Sequence, residues 1–168
     1  MAMGAQLIII RGNSASGKTT TAQQLQLALQ PAATLLIPQD VVRRDMLHAP
    51  DKSGNLALAL IRDLAEFGRQ NCRYVILEGI LKKSVYGEML QDISATFATP
   101  PLVYYFDLSF AETVRRHATQ ANASSFGRVE LTQWWQAHDQ LETEHERLFT
   151  SAETLAQRVR LILADLGV

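Results

Sequence analysis

Gly12-Asn13-Ser14-Ala15-Ser16-Gly17-Lys18-Thr19 fits the pattern G-x-x-x-x-G-K-[ST] without a mismatch. Placed between a strand and a helix, such a loop turns successive backbone N–H groups toward one point at the positive end of the helix. A chain of phosphates requires that arrangement. Gly12 is expected to make the sharp turn out of the strand and Gly17 to let the backbone come close. Lys18 would reach the β- and γ-phosphates, and the Thr19 hydroxyl would meet Mg2+. Asn13, Ser14, Ala15 and Ser16 supply the intervening N–H groups, and Thr20 leads on into the helix. At ordinary glycine frequency, chance yields the pattern in about one chain in a couple of hundred. Its flanks favour function over chance. Leu7-Ile8-Ile9-Ile10 runs apolar up to the loop, and Lys18 to Gln30 is free of breakers, with Ala22, Leu25 and Leu29 on one face before Pro31.

Outward from this loop, short apolar runs alternate with helical periods. Thr34 to Ile37 reads as a second strand before Pro38, Tyr74 to Leu77 as a third and Leu102 to Phe106 as a fourth after Pro100-Pro101. Arg147-Leu148-Phe149 reads as a short fifth. Leu56, Leu60, Leu64 and Phe67 share one face of a helix that Gly68 is expected to stop, and residues 84–98 keep a helical period. Ser109-Phe-Ala-Glu112 and Thr150-Ser-Ala-Glu153 have the spacing of capping boxes. The second is expected to open a last helix through Leu155, Val159, Ile162, Leu163 and Leu166. The alternation predicts a three-layer α/β fold whose parallel sheet is covered on both faces. Its ligand is expected outside the carboxyl ends of the strands.

On size, residues 1–168 are expected to form one domain with room for such a core. A net charge of -1 gives no overall field toward nucleic acid or an anionic membrane, and no apolar run reaches the length of a membrane span. Met1-Ala-Met-Gly-Ala lacks the basic and apolar regions of a signal peptide. The single Cys72 excludes an intrachain disulfide and fits a reducing compartment, so a cytoplasmic protein is expected, as a monomer or a homodimer.

Three features separate a kinase from other users of a phosphate loop. No Asn-Lys-x-Asp guanine-reading tetrapeptide occurs, and the chain is too short for the ancillary helical domain of the large ATPases. Third, Asp40 and Arg43 follow the second strand, where a phosphoryl acceptor is held in small kinases. If a helix begins near Val41, Asp40 caps it and Arg43 projects one turn on. Asp40 can then take a hydroxyl proton while the Arg43 fork, with Arg44 beside it, fixes an anionic group of the acceptor. Glu78 ends the apolar run Tyr74-Val-Ile-Leu. It can reach the water shell of Mg2+ or, being longer than aspartate, contact the acceptor.

Arg115 and Arg116 lie one or two turns into the helix after the fourth strand, and Arg128 follows a stretch rich in small residues, Thr119 to Gly127. That layout predicts a small lid, about residues 117–128, whose arginines close over the transferring phosphoryl group. Only one of Arg115 and Arg116 can point inward. The sequence does not say which; Arg116 is favoured for the catalytic role, with Arg115 and Arg128 on the nucleotide. Eight of the sixteen basic residues follow strands: Lys18, Arg43, Arg44, Lys82, Lys83, Arg115, Arg116 and Arg128. Trp134 and Trp135 diverge by about 100° on a helix, so packing, with one ring toward the core, is expected rather than base stacking. His117, His138 and His145 read as surface residues.

Taken in order, Gly12–Thr19, Asp40-x-x-Arg43, Glu78-Gly79 and the Arg115/Arg116 helix resemble the small P-loop kinases that include zeta toxins, chloramphenicol phosphotransferase and bacterial polynucleotide 5′-hydroxyl kinases. Asp40-Val-Val-Arg43 is similar to the base-and-anion-clamp element of the polynucleotide kinases. Leu77-Glu78-Gly79-Ile80-Leu81 resembles the Glu-Gly-Thr strand end of zeta toxins, with Ile80 in place of Thr. The chain also looks like stand-alone bacterial proteins, generically named kinases, that share Gln-Asp-Val-x-Arg and Phe-Gly…Trp-Trp elements. The resemblance implies a five-stranded parallel sheet in the order 2-3-1-4-5 and Asp40 as general base. It also implies transfer of the γ-phosphate of Mg-ATP to a hydroxyl. Between His117 and Gly127 there is no Arg or Lys, so fewer arginines neutralise the phosphates than in those kinases.

The expected acceptor carries its own phosphate, as a nucleotide, a sugar nucleotide or a nucleic-acid 5′ end does. Near-neutral charge and the acidic run Asp139, Glu142, Glu144 and Glu146 argue against a long duplex. The alternative is a nucleotide-dependent switch or binding ATPase, which needs neither a base at Asp40 nor an anion clamp at Arg43.

Overall fold

In the computed structural model, residues 4–119, 127–141, 143 and 146–168 are described. Among them, strands β1 (Gln6–Gly12), β2 (Thr34–Pro38), β3 (Tyr74–Gly79), β4 (Leu102–Phe106) and β5 (Glu146–Phe149) form one sheet in the order β2-β3-β1-β4-β5. Every pairing is parallel. Helices α1 (Lys18–Ala28), α2 (Ala57–Asn71), α3 (Lys83–Thr96), α4 (Phe110–His117), α5 (Arg128–Trp134) and α6 (Leu155–Leu166) accompany it. A π-helical turn, Val41–Met46, follows β2.

The two-residue period of the strands divides the core in two. Leu7 and Ile9, with Val75, Leu77 and Val103, share a cluster with Ile61 and Ala65 of α2 and Met89 and Leu90 of α3. Ile8 and Ile10, with Ile76, Tyr104 and Phe106, share the other with Ala22 and Leu25 of α1 and Ile162 of α6. Helices on both faces explain why β1 is apolar without alternation. Parallel register brings Glu78 beside both Ile10 and Pro38, and Gly12 beside Phe106. The phosphate loop and the ends of β2 and β3 therefore open at one edge of the sheet.

Several local expectations change. Gly68 does not stop α2, which continues to Asn71. A Cβ there would lie 2.6 Å from Val75 Cγ2 and 2.9 Å from Leu35 Cδ2, so the missing side chain lets α2 settle onto β2 and β3. Thr150 and Glu153 bond to each other ahead of the last helix, while Thr154 caps α6 reciprocally with Gln157. Half of the expected box forms at Ser109, whose Oγ accepts from Glu112 N at 3.3 Å. The Glu112 carboxylate turns instead to Arg115 and Arg116. His117 is buried, one turn from buried Thr113 on the inner face of α4, whereas His138 is exposed and His145 lies outside the described residues. No helix among the described residues is long and apolar enough to cross a membrane.

Candidate active site

At Gly12 (φ 142°) a Cβ would meet Phe106 O at 2.8 Å, so β1 turns here against the bare backbone of β4. Ala15 and Gly17 follow with φ of 58° and 96°. Left-handed residues within a turn aim N–H groups into a concavity suited to anions. Lys18 opens α1 and is buried, its Nζ donating to Asn13 O at 2.6 Å and Ser16 Oγ at 3.3 Å. Burial holds the Lys18 ammonium below its ordinary pKa, against the opposing pull of Glu78 and Asp40. Thr19 Oγ1 donates to Glu78 Oε1 at 3.0 Å. Burial raises the Glu78 carboxyl, opposed by Lys18 and the Thr19 hydrogen bond. A hydroxyl and a carboxylate held this close are hard oxygen donors of the kind Mg2+ takes beside phosphates, so the residues present fit that ion.

Ser14 to Thr20 line a cavity with Asp40, Glu78, Gly79 and Ile80. Beside it lies a second cleft of about 470 Å³. Asp40, Arg43 and Arg44 enter this cleft from the end of β2 and the π turn, Ile80 and Lys82 from beyond β3, and Asp51, Ser14 and Trp134 complete it. Ser14, Asp40 and Ile80 line both spaces, so the Asp40 carboxylate stands where the phosphate-loop cavity meets the cationic cleft.

Asp40 makes no side-chain cap, because the segment after it is π-helical rather than α-helical. Its Oδ1 accepts instead from Arg43 Nη2 at 3.1 Å. Arg43 also donates through Nη1 to Ala49 O at 3.1 Å, and its Nε lies 3.9 Å from Asp51 Oδ1. Asp51, which no motif marks in the sequence, lies 3.9 Å from Lys82 Nζ and accepts from Tyr86 OH at 2.8 Å. Burial, then the Asp51 carboxylate, raises the Tyr86 phenol, so it remains a donor at neutral pH. Gln39 Nε2 bonds to the same hydroxyl at 2.7 Å. This polar chain fixes Arg43 and Lys82 in the cleft.

Of the arginines expected to serve a lid, Arg116 faces the loop, its Nη1 donating to Ser16 O at 3.1 Å. Arg115 turns to solvent, 73% exposed, on Glu112. Its hydrogen bonds, then those of Arg116, hold the Glu112 carboxyl down at about 2. Arg128 stands over Phe110, its guanidinium 5.8 Å from the centre of that ring. Residues 120–126, most of the expected lid, lie outside the described residues.

A further cation was missed. Arg158 of α6 is buried, donates to Thr150 O at 2.7 Å and places Nη1 3.1 Å from where a Gly17 Cβ would stand. Burial, then repulsion from Arg116, lowers its pKa. Arg116 and Arg158 line a third cavity, beside Gly17 and Thr20. The available signal was position, since Arg158 sits four residues before Ile162 on the buried face of α6.

The tryptophans divide. Trp135 is half-buried with its edge toward Phe110, centroids 5.7 Å apart, and Trp134 lines the cationic cleft. Asn13 anchors the following backbone, donating to Gln136 O at 2.6 Å and accepting from Gln136 N at 2.8 Å. Asp139 and Glu146 are not a free acidic surface. They meet the buried Arg11 guanidinium at 2.8 and 3.4 Å, while Glu142 and Glu144 lie outside the described residues.

Residues 7–143 match a family model, AAA_33, described as an AAA domain. Solved structures share the fold. A gluconokinase from Sinorhizobium meliloti aligns with TM-score 0.68 and 16% identity over 99% of this chain and 94% of that one. The APS kinase of Mycobacterium tuberculosis, in complex with AMPPNP and APS, aligns with TM-score 0.69 and 13% identity over 99% of each chain. A Deinococcus radiodurans tunicamycin resistance protein aligns with TM-score 0.65 and 16% identity, covering 98% of this chain and 96% of that one. No curated protein matches the chain by sequence. At these identities the likeness is one of fold, that of the P-loop kinases.

Proposed function

The chain belongs to the AAA_33 family, and on that footing we propose that it transfers the γ-phosphate of ATP to a hydroxyl of a small acceptor that carries its own phosphate. The observation that supports this best is the place of Asp40, whose carboxylate borders both the phosphate-loop cavity and the cleft holding Arg43, Arg44 and Lys82. A nucleotide switch has no use for a carboxylate and an anion clamp at that junction. A fold neighbour holding AMPPNP and APS together also supports an arrangement of two adjoining ligands.

In this reading the loop amides, Lys18 and Arg116 hold the triphosphate and spread the charge that develops on the moving phosphoryl group. Thr19 and Glu78 would hold Mg2+, whose charge offsets that of the β- and γ-phosphates. Arg43 and Arg44 fix the acceptor's anion, which sets its hydroxyl beside Asp40. The hydroxyl oxygen forms a bond to the γ-phosphorus as the bond to the β,γ-bridging oxygen breaks. Asp40 takes the hydroxyl proton, and ADP leaves. Arg115, exposed on Glu112, has no part in this arrangement.

The test is a screen of hydroxyl acceptors with γ-labelled ATP, followed by Arg43→Lys on the best of them. A lysine keeps the charge but loses the paired hydrogen bonds that match a phosphate. The acceptor KM should rise about tenfold or more while that for ATP stays within about twofold. Efficient labelling of an uncharged acceptor, with its KM unmoved by Arg43→Lys, would contradict the assignment.

A further inference from the structure

We propose that Arg158 of α6 holds the α-phosphate of the nucleotide, at the end of the phosphate loop away from Asp40. This rests on the reading of that loop as the nucleotide site. Two guanidinium groups converge there from different helices. The point where a Gly17 Cβ would stand lies 3.1 Å from Arg158 Nη1 and 3.7 Å from Arg116 Nη1. Arg116 is balanced by the Glu112 carboxylate at 2.6 Å. Arg158 is 4% exposed, and its one hydrogen bond among the described residues runs from Nη2 to Thr150 O, a neutral carbonyl. Its Nε is buried without a partner, and its Cζ stands 4.8 Å from the centre of the Phe106 ring. A guanidinium keeps its charge inside a protein, so a buried one facing a second cation calls for an anion between them.

The order of the spaces along the loop says which anion. The γ-phosphate must meet Asp40, where the phosphate-loop cavity joins the cationic cleft at Ser14, Asp40 and Ile80. The cavity of Arg116 and Arg158 shares Gly17 and Thr20 with the loop instead, and its other walls include Ser151, Glu153 and Thr154, just before α6. A triphosphate with its γ end at Asp40 therefore brings its α end to Gly17 and Thr20, beside Arg158. The α-phosphate is common to ATP and ADP and stays in place during transfer, so Arg158 grips substrate and product alike.

Calorimetry of ATP and ADP binding to wild type and Arg158→Met tests this. Loss of a hydrogen bond to a charged group should weaken both nucleotides by the same factor, on the order of tenfold or more. A loss confined to ATP would put Arg158 on the γ-phosphate and overturn the proposal. ADP carrying sulfur on its α-phosphate separates α from β. Without Mg2+, wild type should prefer one of the two diastereomers on the order of tenfold, and the preference should shrink severalfold in Arg158→Met. Equal affinities in wild type, which need no variant, or a preference kept in full by the variant would overturn the proposal. Should Arg158→Met fail to fold, Arg158→Lys keeps the charge without the fork and should also lose the preference. Wild type that bound neither ATP nor ADP would sink the nucleotide reading and this assignment with it. Binding of both unmoved by Arg158→Met would sink the assignment alone.

Discussion

The Thr19 hydroxyl donates to Glu78 Oε1 at 3.0 Å, joining the first turn of α1 to the end of β3. Glu78 is almost wholly buried there, and that burial raises its carboxyl pKa despite Lys18 nearby. A raised carboxyl favours its protonated form in the fold. Its contribution to stability is therefore present below the unfolded value, about 4.3, and lost as pH rises through the folded one. Glu78→Gln removes this titration. Without nucleotide, the difference in Tm between wild type and variant should move against the wild type as pH rises from about 4 to 7. A difference independent of pH would show that Glu78 ionises in the fold as it does in the unfolded chain.

Arg115 and Arg116 are adjacent, yet one contacts Ser16 O and the other is exposed. Removing a donor aimed at developing charge costs about 10²–10³ in rate. Arg116→Met should lower kcat by about that factor, while Arg115→Met should stay within about threefold of wild type. Steady-state kinetics on the purified variants decide it, and equal losses would mean that the helix rather than one guanidinium matters.

Gly68 offers a test of the fold. In a solvent-exposed helix, Gly→Ala stabilises by about 1 kcal/mol. Here the new methyl would press on Val75 Cγ2 and Leu35 Cδ2, and overpacking of this kind costs about 1–3 kcal/mol. Urea denaturation of Gly68→Ala should show a lower midpoint with an unchanged slope. A raised midpoint would mean that α2 shifts freely on the sheet.

The phosphate loop and the strands were legible in the sequence because they rest on local signals, whereas the sheet order came only from the family resemblance. An apolar run, a glycine turn and a breaker-free helix each announce themselves within a few residues. β4 begins and ends where Pro101 and the apolar run place it. Gly68 misled because a glycine reads as a stop unless the strand beneath it is known. Arg158 and Asp51 have no motif, since their meaning comes from Gly17 and from Arg43, Lys82 and Tyr86, which the fold brings near. Choosing between Arg115 and Arg116 needed the direction of α4 relative to the loop. Trp134 could not be assigned to a cleft before the cleft existed.

The proposed transfer depends on Asp40 acting as the base at the junction of the two cavities. Asp40→Asn keeps the shape but cannot accept the acceptor's proton, so phosphoryl transfer should fall by about 10²–10⁴. The direct measurement pairs single-turnover transfer from γ-labelled ATP with calorimetry of ATP binding on the same variant. The expected result is a loss of transfer of that size with ATP affinity within about twofold of wild type. Transfer undiminished in Asp40→Asn, or ATP affinity lost as badly as turnover, would contradict it.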